Sequence, residues 1–209
     1  MVEHRIYETK TDINTLNTRR FYDSRAKSLD RMECPYTAVL LGDQNPQYAK
    51  EWHHFEMEHI LPQLGLNTAS CVIDIGCGIG RWAESIIPHV RYYYGVDFSK
   101  EMIEVAKQRC VFDTHNYDFF NYSFQETVTQ PDIISHVKFN VVIISGVCMY
   151  INDGDLRECF EGLSRLLDEH CLLYLEETVA IEKRLTLDEC PSEALKTNYD
   201  VIYRTPSEY

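Results

Sequence analysis

Apolar residues along this chain change their rhythm near Ser70. Before it they recur at helical spacing. Leu16, Phe21, Ala26 and Leu29 predict a short helix in the first fifty residues. Asn45-Pro46 reads as a second helix start, with Asn as cap and Pro in the first turn. Tyr48, Trp52, Phe55 and His59 then follow at intervals of 4, 3 and 4 residues, one face of an amphipathic helix.

From Ser70 onward short apolar runs take over. Cys71 to Ile75 is one such run, ends in a glycine cluster, and predicts a buried strand. Trp82 to Val90 suits a helix, Tyr92 to Val96 a second strand, and Ser99 to Cys110 a helix with Met102, Val105 and Ala106 inward. Tyr117 to Phe120 is a weak third strand and Phe139 to Ser145 a strong, fully apolar fourth. Asp153 to Leu167 reads as a helix with Leu156, Phe160, Leu163 and Leu167 on one side, and Cys171 to Leu175 as a fifth strand. Strands that are apolar throughout and alternate with helices predict an α/β fold: a doubly wound, mostly parallel sheet with helices on both faces. At the far end, Thr205-Pro206-Ser207-Glu208 has capping-box spacing with Pro at the first helical position. It announces a helix one residue before the chain stops, so the expectation is a C-terminally truncated piece of a longer protein.

Charge narrows the partners. Of 209 residues, 20 are Lys or Arg and 33 Asp or Glu, a net charge of −13. A polyanion is repelled on average, which argues against nucleic acid. The basic residues concentrate early: residues 1–50 hold 8 basic and 7 acidic side chains, leaving 12 and 26 for the rest. The first fifty residues therefore form a distinct segment, and the chain divides into an N-terminal helical segment, 1–66, and a core, 67–209. No apolar run approaches the ~20 residues of a membrane span, and the polar start lacks a signal-peptide core. Eight cysteines without a CxxC pair read as reduced thiols of a cytoplasmic protein.

The chemistry centres on Asp74-Ile75-Gly76-Cys77-Gly78-Ile79-Gly80, between a predicted strand and a predicted helix. Glycines there let the backbone turn tightly and let a ligand approach where a Cβ would block it. Asp97 ends the second strand, where a carboxylate accepts hydrogen bonds from the two hydroxyls of an adenosine ribose. A nicotinamide-dependent oxidoreductase is one alternative. Its fingerprint wants a small residue where this chain has Arg81, and Asp74 inside the loop suits a ligand carrying a cation better than a pyrophosphate.

VIDIGCGIG followed by GVDFS resembles the first two motifs of the class I S-adenosylmethionine-dependent methyltransferases, small-molecule type. The resemblance runs from about Phe21 to Val179 and is most specific at 72–80 and 94–99. It implies a Rossmann-like fold with S-adenosylmethionine as cofactor and S-adenosylhomocysteine as product. Asp74, Gly76 and Gly78 would form the floor under the methionine part, and Asp97 would hold the ribose. Phe98 and Met102 match positions that sandwich the adenine. Ser123, Phe124 and Gln125 fall where a loop reads the adenine edge, and Ser145 and Gly146 where a backbone carbonyl meets the methionine ammonium. Phe21 to Ala26 is similar to an opening segment in which a tyrosine and an arginine, here Tyr22 and Arg25, close over the cofactor. Arg25 would pair with the methionine carboxylate. Complete members finish the sheet with a C-terminal hairpin. Its absence would expose an edge and favour a homodimer or low stability.

Methyl transfer from a sulfonium needs mainly alignment, and a hydroxyl acceptor benefits from a base. Candidates belong at the C-terminal ends of the strands, which singles out Tyr150 after the fourth and Glu177 after the fifth. His53, His54 and His59 lack metal-site spacing, so no metal is expected. The reading is a methyltransferase acting on a hydroxyl or amine of a small metabolite or sugar. The alternative is a cofactor-binding domain of a longer multidomain protein, inactive or partner-dependent alone.

Overall fold

All five residues of β2 (Cys71–Ile75) are buried, which makes this strand the centre of the molecule. The computed structural model describes residues 5–130 and 137–209; the first four residues of the polar start lie outside the described residues. In chain order β2 is preceded by β1 (Ile6–Tyr7), α1 (Thr15–Lys27), α2 (Thr37–Leu40) and α3 (Pro46–Phe55). It is followed by α4 (Ala83–Ile86), β3 (Tyr92–Val96), α5 (Lys100–Arg109), β4 (Tyr117–Phe120) and α6 (Phe124–Thr129). Then come β5 (Phe139–Ser145), α7 (Asp153–Leu163), β6 (Leu167–Glu176), β7 (Leu185–Ser192) and β8 (Thr197–Tyr203).

Five strands form a parallel sheet in the order β4-β3-β2-β5-β6. Strand alternation splits the core in two. Ile73, Ile75, Val142 and Ile144 pack with Phe124, Leu156 and Leu163 on one face. Val72, Val141 and Ile143 pack with Trp82, Ile86, Ile103 and Ala106 on the other. The fold is thus the expected doubly wound sheet. Between β2 and β5 the strand order reverses, and the crevice beyond their carboxyl ends is where such sheets bind ligands.

Several boundaries differ from expectation for local reasons. The helix expected over 82–90 is one turn, ended by the 3-10 turn Ile87–His89 that contains Pro88. Asn45 makes no side-chain cap, although Pro46 does open α3. The fifth strand begins at Leu167, where the preceding helix has already tightened into a 3-10 turn, Ser164–Leu166. The capping box at Thr205 and Glu208 forms around the single turn Pro206–Glu208.

The covering layer comes from both ends of the chain, not from residues 1–66 alone. β1 pairs antiparallel with β7, and β7 with β8, in a separate three-stranded sheet. Helix α1 packs against β8 and α5, and Tyr22, Met102, Tyr150, Tyr199 and Val201 share a third apolar cluster there. This hairpin does not extend the main sheet. Among the described residues no strand pairs with the outer edge of β6, where Leu172, Leu173 and Leu175 stay exposed. Among the described residues no helix is long and apolar enough to cross a membrane.

Candidate functional site

A cavity of about 360 Å³ opens at the carboxyl ends of β2, β3 and β5. Its floor is the loop after β2. Gly76 has φ +78°, and a Cβ there would stand 2.2 Å from Val147 Cγ2. Gly78 has φ +53°, and its Cβ would stand 2.6 Å from Val39 Cγ1. No L side chain fits either position without displacing the neighbouring wall, so the backbone itself lines the cavity.

Asp97 follows directly from β3 and is only 6% exposed. One carboxylate oxygen accepts the Ser99 N–H at 2.8 Å, the other the Gly78 N–H at 3.0 Å. A carboxylate offers about four acceptor sites, so roughly two remain for a ligand diol. Burial pushes this carboxyl up to about 6, against the pull of the two N–H groups. The side-chain amide of Asn121 donates to the carbonyls of Asp97 and Phe98 and fixes this bend.

Phe98 and Met102 form the wall beyond Asp97, with Ser123, Phe124 and Gln125 across from them. Ser123 is the N-cap of α6: its hydroxyl accepts the Glu126 N–H, and the Glu126 carboxylate returns to the Ser123 N–H. Ser145 and Gly146 line the cavity at the end of β5, with the Ser145 hydroxyl donating to Glu176. From the covering layer come Tyr22 of α1 and Tyr150 of the 3-10 turn Cys148–Tyr150. The Tyr22 hydroxyl donates to that of Tyr150 at 2.8 Å.

Three expected site residues lie elsewhere. Asp74 points to the opposite face from Ile73 and Ile75, by strand alternation, and is buried beneath the glycine loop. Its carboxylate accepts the Tyr93 hydroxyl at 2.6 Å, and burial pushes it up to about 7. Arg25 does not reach the cavity. Its guanidinium grips Asp43 with two hydrogen bonds and donates to the carbonyls of Thr37 and Ala38, tying α1 to α2. Arg19, two turns earlier on α1, lines the cavity instead and lies over the Phe98 ring. Glu177 is not poised as a base. Its carboxylate accepts the N–H groups of Val147, Cys148 and Met149 at 2.9, 2.7 and 3.1 Å, capping the turn that carries Tyr150.

Sequence reasoning also missed Arg204. It is 1% exposed and donates to the carbonyls of Cys148 and Ile151 and to Asp153, holding the same turn from its other side. Nothing local marks an arginine that acts on a turn more than fifty residues upstream. His54 and His59, by contrast, stand in solvent beside Glu58. His53 stacks on Tyr36, and burial lowers it to about 4.

Residues 72–170, which supply the sheet's first four strands and the start of the fifth, match a family model described as methyltransferase domain. Over that segment the chain is similar to methyltransferase domains. Its parallel sheet and flanking helices are the class I, Rossmann-like methyltransferase fold. A putative methyltransferase of Geobacillus sp. (strain WCH70) is 23% identical over 181 residues, which cover 86% of this chain and 64% of that relative. The chain therefore spans less than two thirds of that relative's length. A SAM-dependent methyltransferase of Leishmania major superposes with a TM-score of 0.64 at 14% identity, over 96% of this chain and 74% of the other. Phosphoethanolamine N-methyltransferase 1 of Haemonchus contortus, solved with phosphoethanolamine and S-adenosylhomocysteine, superposes at 0.61 with 20% identity. That match covers 80% of this methyltransferase-like chain and 34% of the nematode protein.

Proposed function

We propose that the protein binds S-adenosylmethionine and transfers its methyl group to a hydroxyl or amine of a small metabolite or sugar. The observation that carries this reading is the half-satisfied Asp97 carboxylate on the wall of a cavity whose floor is bare Gly76 and Gly78 backbone. When bound, the cofactor supplies a methyl group already activated by a sulfonium. Asp97 would accept the ribose hydroxyls, while Phe98 and Met102 flank the adenine. Gln125 would meet the adenine edge, and the backbone at Ser145 and Gly146 the methionine ammonium. Tyr22 and Tyr150 close the reacting end, and both are buried enough to exclude water. Holding acceptor and methyl in line supplies much of the acceleration, because proximity alone can be worth roughly 7–11 kcal/mol. The eight free thiols agree with a cytoplasmic setting.

A second reading rests on the outer edge of β6, which no strand among the described residues pairs. In it this unit binds the donor and turns over only as part of a longer polypeptide or with a partner. One assay separates the two: radiolabelled methyl transfer to ethanolamine, phosphoethanolamine, glucosamine and glucose. Transfer to any of them supports the first reading. Binding of S-adenosylhomocysteine without transfer to any of them supports the second.

A further inference from the structure

Methylating an O–H or N–H group releases a proton, and among the described residues the carboxylates at the cavity are already engaged. Among the described lining residues the carboxylates are Asp97 and Glu126. The first is turned to backbone N–H groups with its remaining acceptor sites at the ribose position. The second is an exposed helix cap. Glu177 is occupied by three N–H groups, and among the described residues no histidine lines the cavity.

What the wall does offer is a file of phenols. Tyr22 donates to Tyr150 at 2.8 Å, and the Tyr150 and Tyr199 hydroxyls are 2.5 Å apart. Tyr203 packs against the same apolar cluster as Tyr199. The file crosses the covering layer. Tyr22 and Tyr150 line the inner cavity, whereas Tyr199 and Tyr203 line a broad groove of about 900 Å³ on its far side, together with Asp43 and Glu193. Each phenol oxygen can accept one proton while giving up its own, so a file can pass charge without any member ionising.

We propose that Tyr22, Tyr150 and Tyr199 form a proton exit path from the methyl-transfer cavity to the outer groove. This rests on the methyltransferase reading above. As the S–CH3 bond breaks and the O–CH3 or N–CH3 bond forms, the electron pair stays with sulfur. The acceptor's proton passes to the Tyr22 oxygen while the Tyr22 proton moves to Tyr150 and that of Tyr150 to Tyr199. The Tyr199 proton leaves to water in the groove. Burial pushes these three phenols above their ordinary range. That disfavours a standing phenolate and suits a concerted handover. Tyr199 touches no reacting atom and acts through Tyr150.

The test is Tyr199→Phe, which removes the third hydroxyl and keeps the ring packed against Phe21 and Tyr150. In the ligand-free protein, low-field hydroxyl proton signals should be visible by NMR, and the substitution should remove more than one of them. Calorimetric affinity for S-adenosylhomocysteine should be unchanged. Single-turnover methyl transfer to whichever of the four probe acceptors is methylated should fall about 100-fold, the lower end of what proton transfer by a positioned group contributes. The wild-type rate should show a bowed proton inventory in mixed light and heavy water, and the variant a linear one. Should Tyr199→Phe fail to fold, Tyr150→Phe, which cuts the file one step earlier and keeps the ring packed between Tyr22 and Tyr199, is expected to lower the rate in the same way. Wild-type rates in the folded variants, or no solvent isotope effect in the wild type, would overturn the path alone. A wild-type protein that binds no S-adenosylhomocysteine, or methylates none of the four probes, would overturn the path together with the reading beneath it.

Discussion

Asp97→Asn isolates the carboxylate on which donor binding depends. An amide has one oxygen where the carboxylate has two, so either the Ser99 N–H or the Gly78 N–H must face an NH2 group. That local conflict costs about 1–3 kcal/mol. It is partly offset because the buried charge, unwelcome enough to lift the carboxyl to about 6, is gone. Folding stability should therefore change little. Binding should change much more. Hydrogen bonds to a charged acceptor contribute about 1.5–3 kcal/mol each, so losing two ribose contacts removes about 3–6 kcal/mol. At about 1.4 kcal/mol per tenfold, that is a 10²–10⁴-fold weaker Kd. The amide oxygen retains part of one contact, which puts the expected loss near the lower bound. Urea denaturation measures the first quantity and calorimetric titration with S-adenosylhomocysteine the second. The wild-type affinity should also be level above pH 7 and decline below pH 6, by up to about tenfold per pH unit as the carboxyl protonates; the Asn variant should show no such decline. A folded Asp97→Asn protein that binds as tightly as the wild type would refute the assignment.

Three other substitutions test neighbouring parts of the account. Arg25→Met should lower stability by roughly 3–5 kcal/mol, because it strands Asp43 and the carbonyls of Thr37 and Ala38. Its ligand affinity at a temperature where the protein is folded should stay near wild type, and a large affinity loss without a stability loss would restore Arg25 to the site. Asp74 binds its proton more tightly folded than unfolded, so its contribution to stability is present below about pH 4 and lost as pH rises through about 7. Asp74→Asn should accordingly match the wild type in acid and exceed it at pH 8 by up to roughly 4 kcal/mol in denaturant titrations. Gly78→Ala forces a Cβ against Val39 at φ +53° and should cost about 1–3 kcal/mol while weakening ligand binding; an unperturbed Kd would show that the loop can yield.

The sequence was most legible where short-range pattern decides the outcome. Tyr92–Val96, Tyr117–Phe120 and Phe139–Ser145 stand at their expected bounds because strands of a sheet covered on both faces read as short, largely apolar runs; of the three, only the edge strand Tyr117–Phe120 exposes a residue, Asp118. The glycine loop and the acid at the end of β3 were equally plain, since both are adjacent in sequence to the strands that aim them. Long-range contacts were not legible. Arg25 differs from a cavity residue only in finding Asp43 eighteen residues on, and Glu177 only in facing a turn from another strand. Asp74 was misplaced for a simpler reason: its strand parity turns it from the cavity, and only a phenol from β3 makes a carboxyl tolerable there. The hairpin β7–β8 carries Tyr199 onto Tyr150 across the covering layer, a meeting that no periodicity announces.

Donor binding rests on the hollow between Gly76 and Asp97 accepting an adenosyl sulfur compound. Its most direct test is one calorimetric comparison of the full chain titrated with S-adenosylhomocysteine and, separately, with NAD. Saturable, one-to-one heat is expected with the first and none with the second. Tight binding of NAD with no response to S-adenosylhomocysteine would contradict it.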